Sequence, residues 1–270
     1  MKLSYQVATP DLKRSPLVTA YQGDFENGFK LLHDNCYQGI ELMVRDPKAL
    51  SVNYLSTLLE KYQLELSMIA TGEIWAQEHI SLSDTDPVKR ARCIQCFKEF
   101  IDLASPFHAQ VNIGRVRGEL REDIPSEETW QLAIDAFKEV SDYAAPRGVT
   151  IILEPVNWLQ CNFINSTEEG RKVVDLVGRD NFKIMLDLFH MNIQDRDIIE
   201  EISISKGYFT YVHVCDRNRL YPGNSSFDFE KIMKSLKATE FNEWISVEVL
   251  QVPDGETCIK KSAEKLIPLL

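Results

Sequence analysis

The chain has 270 residues, of which 44% are hydrophobic and 26% charged, as in an ordinary soluble globular protein. Its formal net charge of −11 disfavours a nucleic-acid or anionic-membrane partner, because binding phosphate requires clustered Lys and Arg. No apolar run is long enough to cross a bilayer, and residues 1–10 lack the apolar stretch of a signal peptide. We therefore expect a cytoplasmic protein whose partner is a small molecule.

Short runs rich in β-branched and aromatic residues alternate with longer amphipathic runs along the chain. Strands are predicted at residues 3–8, 39–44, 64–70, 109–114, 149–153, 182–186, 209–212 and 245–249. Helices are predicted at residues 24–36, 47–62, 86–104, 126–145, 167–177, 196–205, 228–236 and 256–267. Asp86 and Pro87 provide an N-cap and a first-turn proline for the third helix, and Ser126 begins a capping-box-like segment in the fourth.

Eight successive βα units without a low-complexity linker predict a parallel sheet, because parallel strands need crossover connections, which are usually helical. Eight units in about 250 residues match a (β/α)8 barrel better than an open, doubly wound sheet. No Gly-x-Gly-x-x-Gly or Walker sequence supports the open sheet. We therefore expect an α/β protein in which residues 1–270 form a single (β/α)8 TIM-barrel domain.

Four ionisable residues lie at or next to the C-terminal ends of four successive predicted strands, and they are Glu154, Asp187, His213 and Glu248. Since barrel sites form at the carboxyl ends of the strands, we expect these residues to converge on one point. Unrelated strand caps or ion pairs are the alternative, but burying four such groups favours a shared compensating partner. Three carboxylates and one imidazole suit one divalent metal ion, with Mn²⁺ favoured and Mg²⁺ or Co²⁺ as alternatives.

Four segments of the C-terminal half carry a family resemblance, and they are ILEPVN at residues 152–157, MLDLFH at 185–190, HVCDRNRLYPG at 213–223 and SVE at 246–248. They resemble the xylose isomerase-like TIM barrels, which are sugar phosphate isomerases and epimerases. The resemblance is closest to the metal-dependent ketose 3-epimerase branch, which is D-tagatose 3-epimerase-like. Together the four segments span most of residues 149–250 and follow one another at barrel spacing.

The resemblance implies that the four strand-end residues bind Mn²⁺ or a related ion, and that His190 and Arg219 contact substrate oxygens. It implies an isomerase that removes a proton next to a ketone through a metal-stabilised enediolate. Glu154 and Glu248 would act as acid and base from opposite faces of the substrate and so invert the carbon. His190 would donate to the developing oxyanion, unless it is a buried histidine satisfied by the backbone, and Arg219 would position a hydroxyl or the chain end.

Other residues are predicted near the mouth of the barrel. Arg115 and Arg117, which lie between glycines after the fourth strand, would bind the phosphate or carboxylate of an acidic sugar, or else pair with nearby acids. Glu73, in the loop after the third strand, is a candidate substrate-binding residue in a lid, with a solvent-facing loop position as the default alternative. Glu41, in the second strand, is a candidate hydrogen-bond acceptor behind the metal ligands.

Three enzymatic interpretations remain open. The favoured one is an epimerase acting on a sugar, a sugar phosphate or a sugar acid. The second is an aldose–ketose or hydroxypyruvate-type isomerase, in which the proton returns to the neighbouring carbon. The third, an abasic-site endonuclease-like hydrolase, is disfavoured by the acidic charge and by only five histidines.

A fourth interpretation is a barrel that has become a non-catalytic binding protein. Such a barrel would be expected to lose metal ligands, and all four are present. The resemblance also suggests a homo-oligomer, since barrels of this branch are often dimers or tetramers.

Overall fold

Eight parallel strands close into a barrel in the computed structural model, which describes residues 1–270. Each strand pairs with the next, and the first also pairs with the last, so the predicted (β/α)8 barrel is confirmed. The strands are β1 (Lys2–Ala8), β2 (Gly39–Met43), β3 (Glu65–Ala70), β4 (Gln110–Ile113), β5 (Ile151–Leu153), β6 (Phe182–Asp187), β7 (Phe209–Val214) and β8 (Trp244–Val247).

Ten α-helices connect the strands, two more than the sequence predicts. They are α1 (Phe25–Asp34), α2 (Val52–Tyr62), α3 (Gly72–Glu78), α4 (Pro87–Ala104), α5 (Ser126–Ala144), α6 (Thr167–Val177), α7 (Leu188–Gln194), α8 (Ile198–Ile204), α9 (Phe229–Ala238) and α10 (Gly255–Leu266). None of them combines the length and apolar character that a bilayer span requires.

The two unpredicted helices, α3 and α7, are both short. Helix α7 starts directly at the end of β6 because the Asp187 side chain caps it, accepting hydrogen bonds from the N–H groups of Phe189 and His190. The predicted N-cap role of Asp86 is confirmed, since its carboxylate accepts from the N–H groups at the start of α4. The capping box predicted at Ser126 is absent, because Pro125 occupies the N-cap and Ser126 is already the first residue of α5, with its hydroxyl donating to Glu127.

The interior of the barrel is filled by side chains in layers. Ile152, Met185 and Tyr211 lie two residues before Glu154, Asp187 and His213, so they point to the same inner face one layer lower. Together with Met68 and Trp244 they form a buried apolar cluster. The ionisable residues therefore rest on a packed floor instead of lining an open pore.

Candidate metal centre

Four ionisable side chains meet at the carboxyl ends of strands β5 to β8. Asp187 and His213 are paired positions of β6 and β7, while Glu154 and Glu248 directly follow β5 and β8. The N–H groups of both glutamates still donate to the preceding strands, at 3.0 and 3.1 Å, so the sheet fixes their backbone. One potential ligand atom from each of the four residues lies within 4.8 Å of all the others. The predicted convergence of the four residues is thus present.

The geometry of the cluster fits a divalent cation. His213 Nδ1 lies 3.4 Å from Glu248 Oε2, 3.6 Å from Asp187 Oδ2 and 3.9 Å from Glu154 Oε1. Both His213 Nδ1 and Asp187 Oδ2 are buried without a hydrogen-bond partner, which is costly unless another ligand satisfies them. Three carboxylates and one imidazole nitrogen around a common point form an oxygen-rich donor set suited to such an ion.

The orientation of His213 is set from beneath by Glu41, which is fully buried in β2. His213 Nε2 donates to Glu41 Oε2 at 2.9 Å, and this bond leaves Nδ1 facing the other carboxylates. Tyr211 and Gln6 also donate to Glu41, at 3.0 and 2.8 Å, so the predicted acceptor role of Glu41 is confirmed. Burial opposes the charged form of His213, but Glu41 and the neighbouring carboxylates outweigh it and raise the pKa of His213 well above its ordinary value.

The two glutamates have different environments. Glu154 Oε2 accepts only from the Asn112 side chain, at 3.1 Å, and burial together with the negative charge of Glu248 raises the pKa of Glu154 to about 7. Glu248 accepts from Thr19 at 2.8 Å and from Arg219 at 2.7 Å. Burial would raise the pKa of Glu248 too, but Arg219 and His213 hold it well below its ordinary value. The cation-free cluster therefore contains one readily protonated and one ionised glutamate.

His190 faces the same cluster from the first turn of α7. Its Nδ1 lies 2.6 Å from Asn157 Nδ2, which donates to it and so assigns the ring proton to Nε2. Nε2 lies 3.7 Å from Glu154 Oε1 and 3.8 Å from Asp187 Oδ2. Because burial lowers the pKa of His190 to about 4, the ring is a neutral N–H donor beside the carboxylates. Asn157 was not singled out from the sequence, although it ends one of the recognised segments.

Arg219 reaches the cluster from the loop after β7. Its Nη2 donates to Glu248, and its guanidinium lies 4.5 Å from the ring centre of Phe189. Its Nη1 is buried and has no hydrogen-bond partner. This atom is therefore available to a ligand, and the substrate contact expected of Arg219 stays a prediction with a suitable geometry.

Arg117 does not lie where the sequence-based prediction placed it. The residue is fully buried, and its guanidinium donates to four backbone carbonyl oxygens. Those carbonyls belong to Gly114, Glu154, Phe163 and Ile164. Every nitrogen is thereby engaged with the protein, so the predicted role of Arg117 in binding an acidic sugar is wrong. Its position is that of a brace between β4 and the loop after β5.

Arg115 and Glu73 lie outside the cluster. Arg115 is exposed, 3.8 Å from Glu119 and 5.8 Å from the ring centre of Trp75, which matches the alternative of pairing with a nearby acid. Glu73, on α3, accepts a hydrogen bond from Gln77. Their proposed contacts with substrate stay predictions.

The fold and the site together define the class of this protein. It is a (β/α)8 barrel with a candidate divalent-cation centre at the carboxyl ends of its strands. The model of the Xylose isomerase-like TIM barrel family matches residues 29–269, and the chain belongs to that family. The resemblance noted in the sequence is thereby confirmed.

Curated relatives cover most of the chain. An L-ribulose 3-epimerase of Methylomonas sp. (strain DH-1) is 27% identical over 214 residues, covering 78% of this chain and 73% of the relative. An inosose isomerase of Halalkalibacterium halodurans is 25% identical over 263 residues, covering 93% of this chain and 88% of the relative. These names are those of an epimerase and an isomerase, which bears out the predicted isomerase class.

Solved structures share the fold over the whole length. A D-allulose 3-epimerase of Methylomonas sp., crystallised with D-allulose, superposes with a TM-score of 0.84 at 20% identity, covering 100% of this chain and 97% of the other. The IOLI protein, crystallised with a bound zinc atom, has a TM-score of 0.79 at 21% identity, covering 100% and 98%.

Proposed function

We propose that the protein is a divalent-metal-dependent sugar epimerase that acts at the carbon next to a ketone. The observation that carries the proposal is the pair Glu154 and Glu248, which share one cluster with the buried, unpartnered atoms His213 Nδ1 and Asp187 Oδ2. The L-ribulose 3-epimerase relative, which aligns with 78% of this chain, supports a ketose as substrate. The substrate class is then a ketose or a close derivative of one.

The cation would be held by Glu154, Asp187, His213 and Glu248, and we favour Mn²⁺ over Mg²⁺ or Co²⁺. When bound, a divalent cation would polarise the substrate carbonyl as a Lewis acid and so acidify the neighbouring C–H. The protein itself contributes the fixed donor set, the hydrogen bond from His213 to Glu41 and the burial of these side chains.

The proton is moved by the two glutamates. One carboxylate removes the proton from the carbon next to the ketone, and the other glutamate returns a proton from the opposite side, which inverts that carbon. Which of Glu154 and Glu248 acts first depends on the configuration of the substrate. His190 donates its Nε2–H to the carbonyl oxygen as negative charge develops there, and Arg219 Nη1 donates to a substrate hydroxyl.

An aldose–ketose or related isomerase is the second candidate, and the inosose isomerase relative that aligns with 93% of this chain favours it. The same residues would then return the proton to the neighbouring carbon, while the proton of the adjacent hydroxyl moves to the former carbonyl oxygen. The two candidates differ in their products, which NMR distinguishes directly. Abasic-site endonuclease activity is disfavoured by the net charge of −11, and incision of an abasic oligonucleotide at ordinary salt would reverse this ranking.

The experiment has two stages. Free ketoses of four to six carbons, their phosphates and their acid forms are first incubated with the Mn²⁺-loaded protein in deuterated water and followed by NMR. Glu154→Gln and Glu248→Gln are then expected to slow exchange of the proton next to the ketone by at least ~10²-fold. Glu65→Gln, which alters an exposed partner of Lys2, serves as the control. Unchanged exchange in both cluster variants would contradict the proposal.

A further inference from the structure

Backbone N–H groups of the loop between β7 and α9 converge on one buried carboxylate. Asp216 has no exposed surface, and its two oxygens accept four backbone N–H groups of this loop. Oδ1 accepts from Arg217 at 2.9 Å and from Phe227 at 3.1 Å, while Oδ2 accepts from Gly223 and Ser225, both at 2.9 Å. A single side chain thus provides hydrogen-bond acceptors for donors spread over eleven residues.

The backbone of Asp216 also fixes the residue that the loop carries to the cluster. The N–H of Arg219 donates to the carbonyl of Asp216 at 2.8 Å, and the N–H of Asp216 donates to the carbonyl of Leu220 at 2.8 Å. Between these bonds Arg219 adopts a left-handed conformation with φ of 58°. Such a conformation is unfavourable for a residue with a side chain, so the surroundings must impose it.

The left-handed turn aims the Arg219 side chain inward. There it donates to Glu248 at 2.7 Å, rests on the ring of Phe189 and leaves Nη1 buried without a partner. The carbonyl of Arg219 accepts from the N–H of Leu250 at 2.9 Å, which ties the loop to the segment after β8. The direction of the guanidinium therefore depends on the folding of the loop.

We propose that Asp216 is a positioning residue for the site: by gathering the N–H groups of the 217–227 loop, it holds Arg219 against Glu248 with Nη1 turned toward a substrate oxygen. The part concerning substrate rests on the proposed function, whereas the part concerning Arg219 and Glu248 does not. Asp216 itself makes no hydrogen bond or ion pair with the four residues of the cluster.

Asp216→Asn is the sharpest substitution, because it keeps the size of the side chain. An amide has one acceptor oxygen, and its NH₂ group would face two N–H donors, so about half of the loop's bonds to this side chain are lost. Asp216→Glu keeps the charge and displaces it by one methylene, which provides a second variant if the first does not fold. Asp86→Asn is the matched control, since Asp86 accepts two backbone N–H groups at the start of α4, which follows β3, on the opposite side of the barrel from the loop after β7.

The kinetic test is a double-mutant cycle between Asp216→Asn and Arg219→Met on the Mn²⁺-loaded protein. Each single substitution should lower kcat/KM by about 10- to 100-fold, and Asp216→Asn should cost less than about twofold once Arg219 is Met. The dissociation constant for Mn²⁺ should change less than kcat/KM, and Asp86→Asn should leave kcat/KM unchanged. Losses that multiply in the double variant, or no loss in Asp216→Asn, would overturn the proposal.

A crystal structure of the Asp216→Asn protein separates this proposal from the proposed function. We expect the Arg219 guanidinium to be withdrawn from Glu248 in that structure, whether or not any sugar is turned over. If the wild type converts no sugar, the proposed function fails while this displacement still supports the role of Asp216. An unchanged contact between Arg219 and Glu248 in that crystal structure would overturn the role proposed for Asp216.

Discussion

His213 Nε2 and Glu41 Oε2 lie 2.9 Å apart, so the imidazole of β7 is anchored to the carboxylate of β2 across the barrel interior. Tyr211 donates to the same oxygen, and Gln6 donates to the other one. The anchor leaves Nδ1 facing three carboxylates, which is the orientation that a cation-binding imidazole requires. A carboxylate behind the cluster thus determines which nitrogen of His213 faces the other three carboxylates.

We predict that Glu41→Gln weakens Mn²⁺ binding by about 10- to 100-fold, the usual cost of losing such a supporting carboxylate. The glutamine amide is a weaker hydrogen-bond acceptor than the carboxylate. Its NH₂ group would also face existing donors, either Gln6 or the pair His213 and Tyr211. Isothermal titration calorimetry provides the dissociation constant, with Glu65→Gln as an exposed control. Equal affinities in wild type and variant would show that His213 is oriented by other contacts.

Cation binding is predicted to release protons near neutral pH. The pKa of Glu154 is raised to about 7 and that of His213 lies well above its ordinary value, so both hold protons that a cation must displace. Since cation and proton compete, apparent affinity should rise with pH and level off above these pKa values. Calorimetry in buffers of different ionisation enthalpy measures the release, and a pH-independent affinity with no proton release contradicts the prediction.

The Asn157 side chain is predicted to act through His190. Asn157→Ala removes the donor to His190 Nδ1, so the ring can adopt the other tautomer and lose its N–H toward the cluster. We expect kcat to fall by about 10-fold, and by ~10²-fold or more in His190→Asn, with Mn²⁺ affinity nearly unchanged. Asn162→Ala, which alters an exposed bridge to Leu120, is the control. Equal kcat values for the Asn157 variant and the wild type would remove Asn157 from the mechanism.

Arg117 is predicted to matter for stability. Arg117→Met removes a donor from four buried carbonyl oxygens, and only those of Gly114 and Ile164 keep a backbone N–H. We expect a loss of about 3–5 kcal/mol in the free energy of unfolding. Arg115→Met should cost less than about 0.5 kcal/mol, since an exposed ion pair contributes little. Urea unfolding of both variants measures the difference. Similar losses in the two would contradict the assignment of Arg117 as a buried brace.

The four strand-end residues could be predicted from sequence because the topology itself aligns them. In a barrel of parallel strands every carboxyl end lies on the same face, so one residue per βα unit is brought to a common point. Glu41 could be anticipated in a similar way from its place in β2. These inferences need only the order of the strands and the length of each unit.

The arginines could not be separated in this way. Arg115 and Arg117 share one glycine-flanked segment, yet one is exposed and the other is fully buried. Two of the carbonyl oxygens that hold Arg117 belong to Phe163 and Ile164, more than forty residues away. Helix α7 was missed for a related reason, since Asp187 serves at once as a member of the cluster and as an N-cap. Such dual roles depend on tertiary contacts that no local pattern contains.

All four members of the cluster come from β5 to β8, on one half of the barrel. The segments after β2 and β3, residues 44–51 and 71–86, form no hydrogen bond with any of them. Insertions there would remodel the rim without disturbing the charge balance at the centre. These two segments are therefore the places where the rim can be varied while every hydrogen bond of the cluster is kept.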